Sequence, residues 1–158
     1  MRLTDILTAD RIDLDLDVKT KDEVIENLVE LVVKTIKGTN QEAILKAVRA
    51  REQLMSTGVG NSVAIPHGKT NAVKTLVAAF GRCIAPVDYD ALDGQPVSLV
   101  FLLVGPEDAA GPHIKALSRI SRLLSYGEFR SVLSSANTSE EVLAAIAAEE
   151  QHHFELKP

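Results

Sequence analysis

Val97 to Val104, read Val-Ser-Leu-Val-Phe-Leu-Leu-Val, is an almost unbroken apolar run. A strand without a polar face is buried on both sides, so it needs a packed layer above and below it. Segments with helical spacing flank the run in both directions, and the chain therefore reads as α/β, a sheet covered by helices on both faces. With 158 residues, 46% of them apolar, one sizeable core is within reach. The expected organisation is one domain over residues 1–150 and a polar tail, 151–158, in which His152 and His153 are unstructured.

The net charge of −5 argues against a general nucleic-acid footprint. No apolar stretch reaches the roughly eighteen residues of a membrane span, and Met1 to Asp5 lacks the apolar segment of a signal peptide. Cys83 is the single cysteine, so no intramolecular disulfide can form. A reducing, cytoplasmic setting fits that usage, with Cys83 as a buried, inert thiol.

Along the chain, Leu3 to Leu7 suits a short helical turn. Arg11 to Asp17 alternates, placing Ile12, Leu14 and Leu16 on one face and three aspartates on the other. Thr20 and Glu23 have capping-box spacing, and the helix they open runs to about Lys37, with Gly38 as its stop. Thr39 and Glu42 have the same spacing before a second helix that reaches about Gln53. Thr75 to Arg82 reads as a strand, and Pro86 to Pro96 as an irregular excursion closed by Asp93-Gly94. Pro112 fits the first position of a helix running to Leu124. Helices over Gly127 to Ser134 and Ser139 to Glu150 follow, the latter capped by Thr138 and Glu141.

The chemistry concentrates in Gly58 to Thr70, Gly-Val-Gly-Asn-Ser-Val-Ala-Ile-Pro-His-Gly-Lys-Thr. Gly58 and Gly60 suit a tight turn or a close backbone approach. Val63 to Ile65 is a short buried strand, and Pro66, lacking an N–H, ends its pairing. His67 then stands at the end of a core strand, with Gly68 keeping bulk away. The pattern also fits a turn whose histidine is merely solvated. Arg51 falls seven residues after Ile44, on the inner stripe of the second helix. There it either meets an anion or snorkels to water. His113 lies in the first turn of its helix, on the core side. It is either a core histidine bonded to backbone or a neutral donor to an anion at the helix N-terminus.

Two histidines and an arginine around a glycine-lined opening suit phosphate chemistry. A neutral imidazole attacks phosphorus, the N–P bond formed is labile, and a guanidinium holds phosphoryl oxygens through two parallel hydrogen bonds. No Gly-Lys-Ser/Thr nucleotide loop is present, which argues against ATP as donor. A zinc site built on His67 and His113 lacks the remaining ligands, and a hydrolase built on Ser62 lacks both its elbow motif and an acidic partner.

Glu52, Val59-Gly60 and Val63-Ala64-Ile65-Pro66-His67-Gly68 resemble the active-site signature of the enzyme IIA components of the bacterial phosphotransferase system, of the fructose–mannitol and nitrogen-regulatory type. Arg51-Glu52, Ser56-Thr57-Gly58, Asp90 to Val97 and the His113 helix extend the likeness to nearly the whole chain. The resemblance implies a small mixed sheet between helices, in an α/β/α arrangement. It implies that His67 accepts a phosphoryl group from a histidine phosphocarrier protein, assisted by Arg51 and His113, with Thr57, Gly58, Gly60 and Gly68 contacting the substrate. No cofactor or metal is expected. With no second domain or membrane segment in the sequence, the expectation is a free-standing nitrogen-regulatory member acting on target proteins. The alternatives are a sugar-specific member passing phosphate to an enzyme IIB, or a binding module that is never phosphorylated. Ser62 departs from the glycine found in many nitrogen-regulatory members.

Overall fold

A computed structural model describes residues 1–154. Its sheet contains β1 (Ile12–Leu16), β2 (Gly58–Gly60), β3 (Val63–Ala64), β4 (His67–Lys69), β5 (Val77–Val87) and β6 (Val97–Gly105). The helices are α1 (Lys21–Thr35), α2 (Gln41–Leu54), α3 (Ala110–Leu124), α4 (Gly127–Ser135) and α5 (Ser139–Phe154). The strand order is β1-β5-β6-β3-β2, with β4 also paired to β6. Pairing is mixed: β6 runs antiparallel to β5 and parallel to β3 and β4.

The apolar run from Val97 forms β6, and it is buried on both faces. Val100, Leu102 and Val104 join the core beneath α1 and α2, with Val24, Leu28, Val32, Ile44 and Val48. Leu99, Phe101 and Leu103 join the core beneath α3, α4 and α5, with Ile120, Leu123, Phe129 and Ile146. This is the expected small mixed sheet between helical layers.

Several local expectations are corrected. Pro66 does not end the pairing: its carbonyl accepts the Leu103 N–H at 3.1 Å, and the ladder to β6 resumes at once. His67 thus opens β4 rather than closing a strand. In β1 the register to β5 shifts between Asp13 and Leu16. Ile12 and Leu14 therefore pack with one core and Leu16 with the other, instead of sharing a face. Asn40, not Thr39, caps α2, its side chain accepting the Ala43 N–H at 3.1 Å. Pro112 is third in α3, still inside the first turn where no N–H is required. β5 continues past Arg82 to Val87.

The tail is helical through Phe154. His153 stacks on Tyr126 at 4.2 Å and reaches Glu149 at 2.9 Å, while Arg119 and Arg122 lie over the Phe154 ring. These packing partners hold the last turn of α5, which the polar composition alone did not reveal. Residues 155–158 of the expected tail lie outside the described residues. Cys83 is buried, and burial pushes its thiol up to about 11, so it is an unreactive core residue.

Candidate active site

The site forms where β4 and β6 end beside the N-terminus of α3. Pairing sets its geometry. His67 lies opposite Leu103 and so faces the α3 side of the sheet, whereas Gly68 lies opposite Val104 and faces α2. A Cβ on Gly68 would stand 2.9 Å from the Val48 nitrogen and 3.0 Å from the Ala47 carbonyl carbon. Glycine there lets α2 lie directly on the strand. One turn beyond Ala47, that helix delivers Arg51 to the same cleft as His67.

His67 Nδ1 lies 2.8 Å from the Ile65 carbonyl oxygen. A carbonyl only accepts, so Nδ1 carries the proton and donates, and Nε2 keeps its lone pair. Burial lowers the basicity of His67; the Ile65 carbonyl opposes that shift, and the Arg51 charge adds to it. The ring is therefore neutral at neutral pH.

His113 is 3% exposed, in the first turn of α3. Its ring fits against the end of β6 because Gly105 has no side chain: a Cβ there would be 3.1 Å from His113 Nδ1. Neither ring nitrogen has a hydrogen-bond partner. Burial first, then the neighbouring His67 and Lys69 charges, push its pKa down to about 4. A neutral, buried imidazole with unused nitrogens beside His67 is an open donor position.

The cleft has a volume of ≈ 550 Å³, and Arg51, His67, Gly68, Lys69 and His113 line it, with Ile114 and Leu117 as apolar wall. The Arg51 guanidinium donates one bond to the Met55 carbonyl at 2.9 Å. Thr57, Gly58 and Gly60 do not line this cleft. The Thr57 N–H and hydroxyl both go to Glu52. Gly58 packs against Ala91, and Gly60, with φ +107°, opens the β2–β3 hairpin. Asn61 and Ser62 turn that hairpin at φ 57° and 63°, the geometry of a type I′ turn, where glycine at position 62 is the unstrained choice.

Sequence reasoning missed Lys69 and Glu107. Lys69 is two residues from His67 on one strand, and that period of two places both on one face. Glu107 also borders the cleft, its carboxylate accepting from the Asn71 amide at 2.9 Å. Among the described residues, no group of three or more His, Cys, Asp or Glu side chains is placed to hold a metal ion. No helix among them is long and apolar enough to cross a membrane.

Residues 5–149 match the family model described as phosphoenolpyruvate-dependent sugar phosphotransferase system, EIIA 2. The chain belongs to this family. As an EIIA domain it is similar to both branches of its relatives. It is 40% identical over 146 residues to the fructose-specific EIIABC component of Bacillus subtilis, covering 92% of this chain but only 23% of that longer protein. It is 35% identical over 147 residues to a nitrogen regulatory protein of Bradyrhizobium diazoefficiens, covering 93% of this chain and 95% of the relative. The EIIA fold superimposes on the nitrogen regulatory protein IIA-Ntr of Neisseria meningitidis with a TM-score of 0.86 and 38% identity, over 91% of this chain and 98% of that one. The family makes this EIIA domain a component of a phosphoryl-transfer system.

Proposed function

We propose that His67 Nε2 is the phosphoryl acceptor of this EIIA domain and that a histidine phosphocarrier protein is its donor. The observation that carries the reading is the Nδ1 bond to the Ile65 carbonyl, which leaves Nε2 as the nucleophilic nitrogen. The Nε2 lone pair forms the new N–P bond as the donor's N–P bond breaks, and that electron pair returns to the donor imidazole. With Nδ1 still protonated, the phosphorylated ring is cationic, and the Ile65 carbonyl stabilises the charge. Arg51 binds phosphoryl oxygens, His113 donates one N–H, and Lys69 adds a second positive charge against the dianion.

Regulation is the favoured role, with phosphorylation state controlling partner proteins in the cytoplasm. The likeness to IIA-Ntr, at a TM-score of 0.86, supports it over the likeness to the mannitol IIA of Escherichia coli, at 0.74 and 25% identity. The second reading is a sugar-transport role, with phosphate passed to an enzyme IIB, and the 40% identity to the fructose-specific relative is the observation that supports it. Incubation with phosphoenolpyruvate, enzyme I and the phosphocarrier tests the shared claim. Phosphate uptake on His67 supports it, and binding without uptake indicates a docking module instead. Transfer onward to a fructose-type enzyme IIB would select the transport role.

A further inference from the structure

We propose that Glu52 is the positioning residue of this site, setting the tautomer of His67 and the orientation of Arg51 through the turn that follows α2. Glu52 is 7% exposed, in the last turn of α2. Its carboxylate gathers donors from three other segments. Lys21 of α1 reaches Oε2 at 2.9 Å. The Thr57 N–H donates to Oε2 at 2.7 Å and the Thr57 hydroxyl to Oε1. The Tyr89 hydroxyl donates to Oε1 at 3.1 Å, and the Lys21 ammonium lies 4.7 Å over the Tyr89 ring. Burial alone would favour the neutral acid, but the two Thr57 donors and Lys21 outweigh it and hold Glu52 below the usual carboxylate range.

What Glu52 fastens leads to the chemistry. The Thr57 carbonyl accepts the Ile65 N–H at 3.0 Å, and the Ile65 carbonyl accepts the His67 Nδ1–H at 2.8 Å. Two residues before Thr57, the Met55 carbonyl accepts from Arg51 at 2.9 Å. A single buried anion therefore pins the segment from which both functional side chains take their bearings. If Thr57 is released, the Ile65 carbonyl loses its alignment. Nδ1–H then has no fixed acceptor, and the Nε2–H tautomer, whose nucleophilic lone pair is blocked, becomes populated. Second-layer bonds of this kind orient the groups that react, and small misplacements are costly to transfer.

The proposal rests on His67 being the phosphoryl acceptor, but its first readout does not require transfer. Protein labelled with 15N-histidine is compared with Glu52→Ala, Glu52→Asp and Glu52→Gln by ring-nitrogen NMR and by single-turnover transfer from the phosphocarrier. Asp keeps the charge on a shorter arm that cannot hold Thr57, Tyr89 and Lys21 together. Gln keeps the length, accepting from Thr57 N–H and donating to the Thr57 and Tyr89 hydroxyls. The expected result is a single Nδ1–H tautomer in wild type and Gln, and a mixture in Asp and in folded Ala. Transfer at saturating donor should slow roughly tenfold to a hundredfold in Asp and Ala, and little in Gln. A folded Asp variant with wild-type ring signals and rate, merely less stable, would overturn the proposal. So would a folded Gln variant with mixed tautomers and slow transfer, because the hydrogen bonds it keeps to Thr57 and Tyr89 would then not be what positions His67. If no form of the protein takes up phosphate, the tautomer pattern alone decides.

Discussion

The imidazole rings of His67 and His113 lie 5.8 Å apart, centroid to centroid, inclined at 54°. One comes from a strand and the other from the first turn of a helix. One has a nitrogen fixed by a carbonyl and the other has neither nitrogen bound. A phosphoryl group on His67 Nε2 would give the second ring its missing partner.

Arg51 and His113 should therefore act on transfer, and their variants should still fold at neutral pH. Removing a donor that strengthens in the transition state costs about 3 kcal/mol, roughly a hundredfold in rate. We expect Arg51→Ala and His113→Ala to slow single-turnover transfer by that order with circular dichroism unchanged. His113→Gln should retain part of the rate, because its amide still donates. Wild-type rates in both folded alanine variants would reduce the site to His67 alone.

The depressed pKa of His113 predicts an acid dependence of stability. Its folded value of about 4 lies below the unfolded 6.5, so between them the unfolded chain binds more protons. The stabilisation is fully present above about pH 6.5 and is lost as pH falls toward 4. His67, also lowered, acts in the same direction. Urea midpoints should fall between pH 7 and pH 5, and His113→Gln should flatten that slope. Glu52 contributes lower down, since its folded pKa lies below 4.5. An unchanged slope in His113→Gln would show that this histidine does not titrate with folding.

Gly68→Ala should disturb the site through α2. The new Cβ meets backbone atoms of Val48 and Ala47 at about 3 Å, and backbone cannot move aside like a side-chain tip. Overpacking of this kind typically costs about 1–3 kcal/mol. The helix carrying Arg51 must lift, so both the thermal midpoint and the transfer rate should fall. A stable variant with an unaltered rate would show that α2 has slack the structure does not reveal.

The donor should dock on the apolar surface around the cleft. Ile114 lines the cleft and is 66% exposed, and Met55, whose carbonyl accepts from Arg51, is exposed as well; Val59 is exposed on β2 but outside the cleft lining, and Val63 is core and offers no rim. Ile114→Ser, which removes apolar surface without adding charge to the cleft, should weaken binding of the phosphocarrier more than it changes the rate at saturation. NMR titration that shifts only residues remote from Gly58 to Thr70 would contradict this placement.

Much of this was legible because the controlling signals are local. The nearly unbroken apolar run marked β6 as the central strand, and the inward faces of two helices showed Arg51 and His113 as polar groups out of place. What was not legible depends on pairing across the chain. That Pro66 interrupts but does not end the ladder needs Leu103 as partner. The change of face within β1 needs the shifted register to β5. The role of Thr57 could not be read, since its hydroxyl was free to face substrate until Glu52 was seen to claim it. Lys69 was legible in principle, two residues from His67, but only once that segment was known to be a strand. The last turn of α5 rests on Tyr126, Arg119 and Arg122, which lie far from it in sequence.

The nitrogen that accepts the phosphoryl group is identified by NMR of the phosphorylated protein carrying 15N-histidine, in which the phosphorus couples to the nitrogen that bears it. One phosphohistidine is expected, with coupling to Nε2 of His67 and none in His67→Ala. Coupling to Nδ1 of His67, or robust phosphorylation of His113, His152 or His153 in the alanine variant, would contradict it.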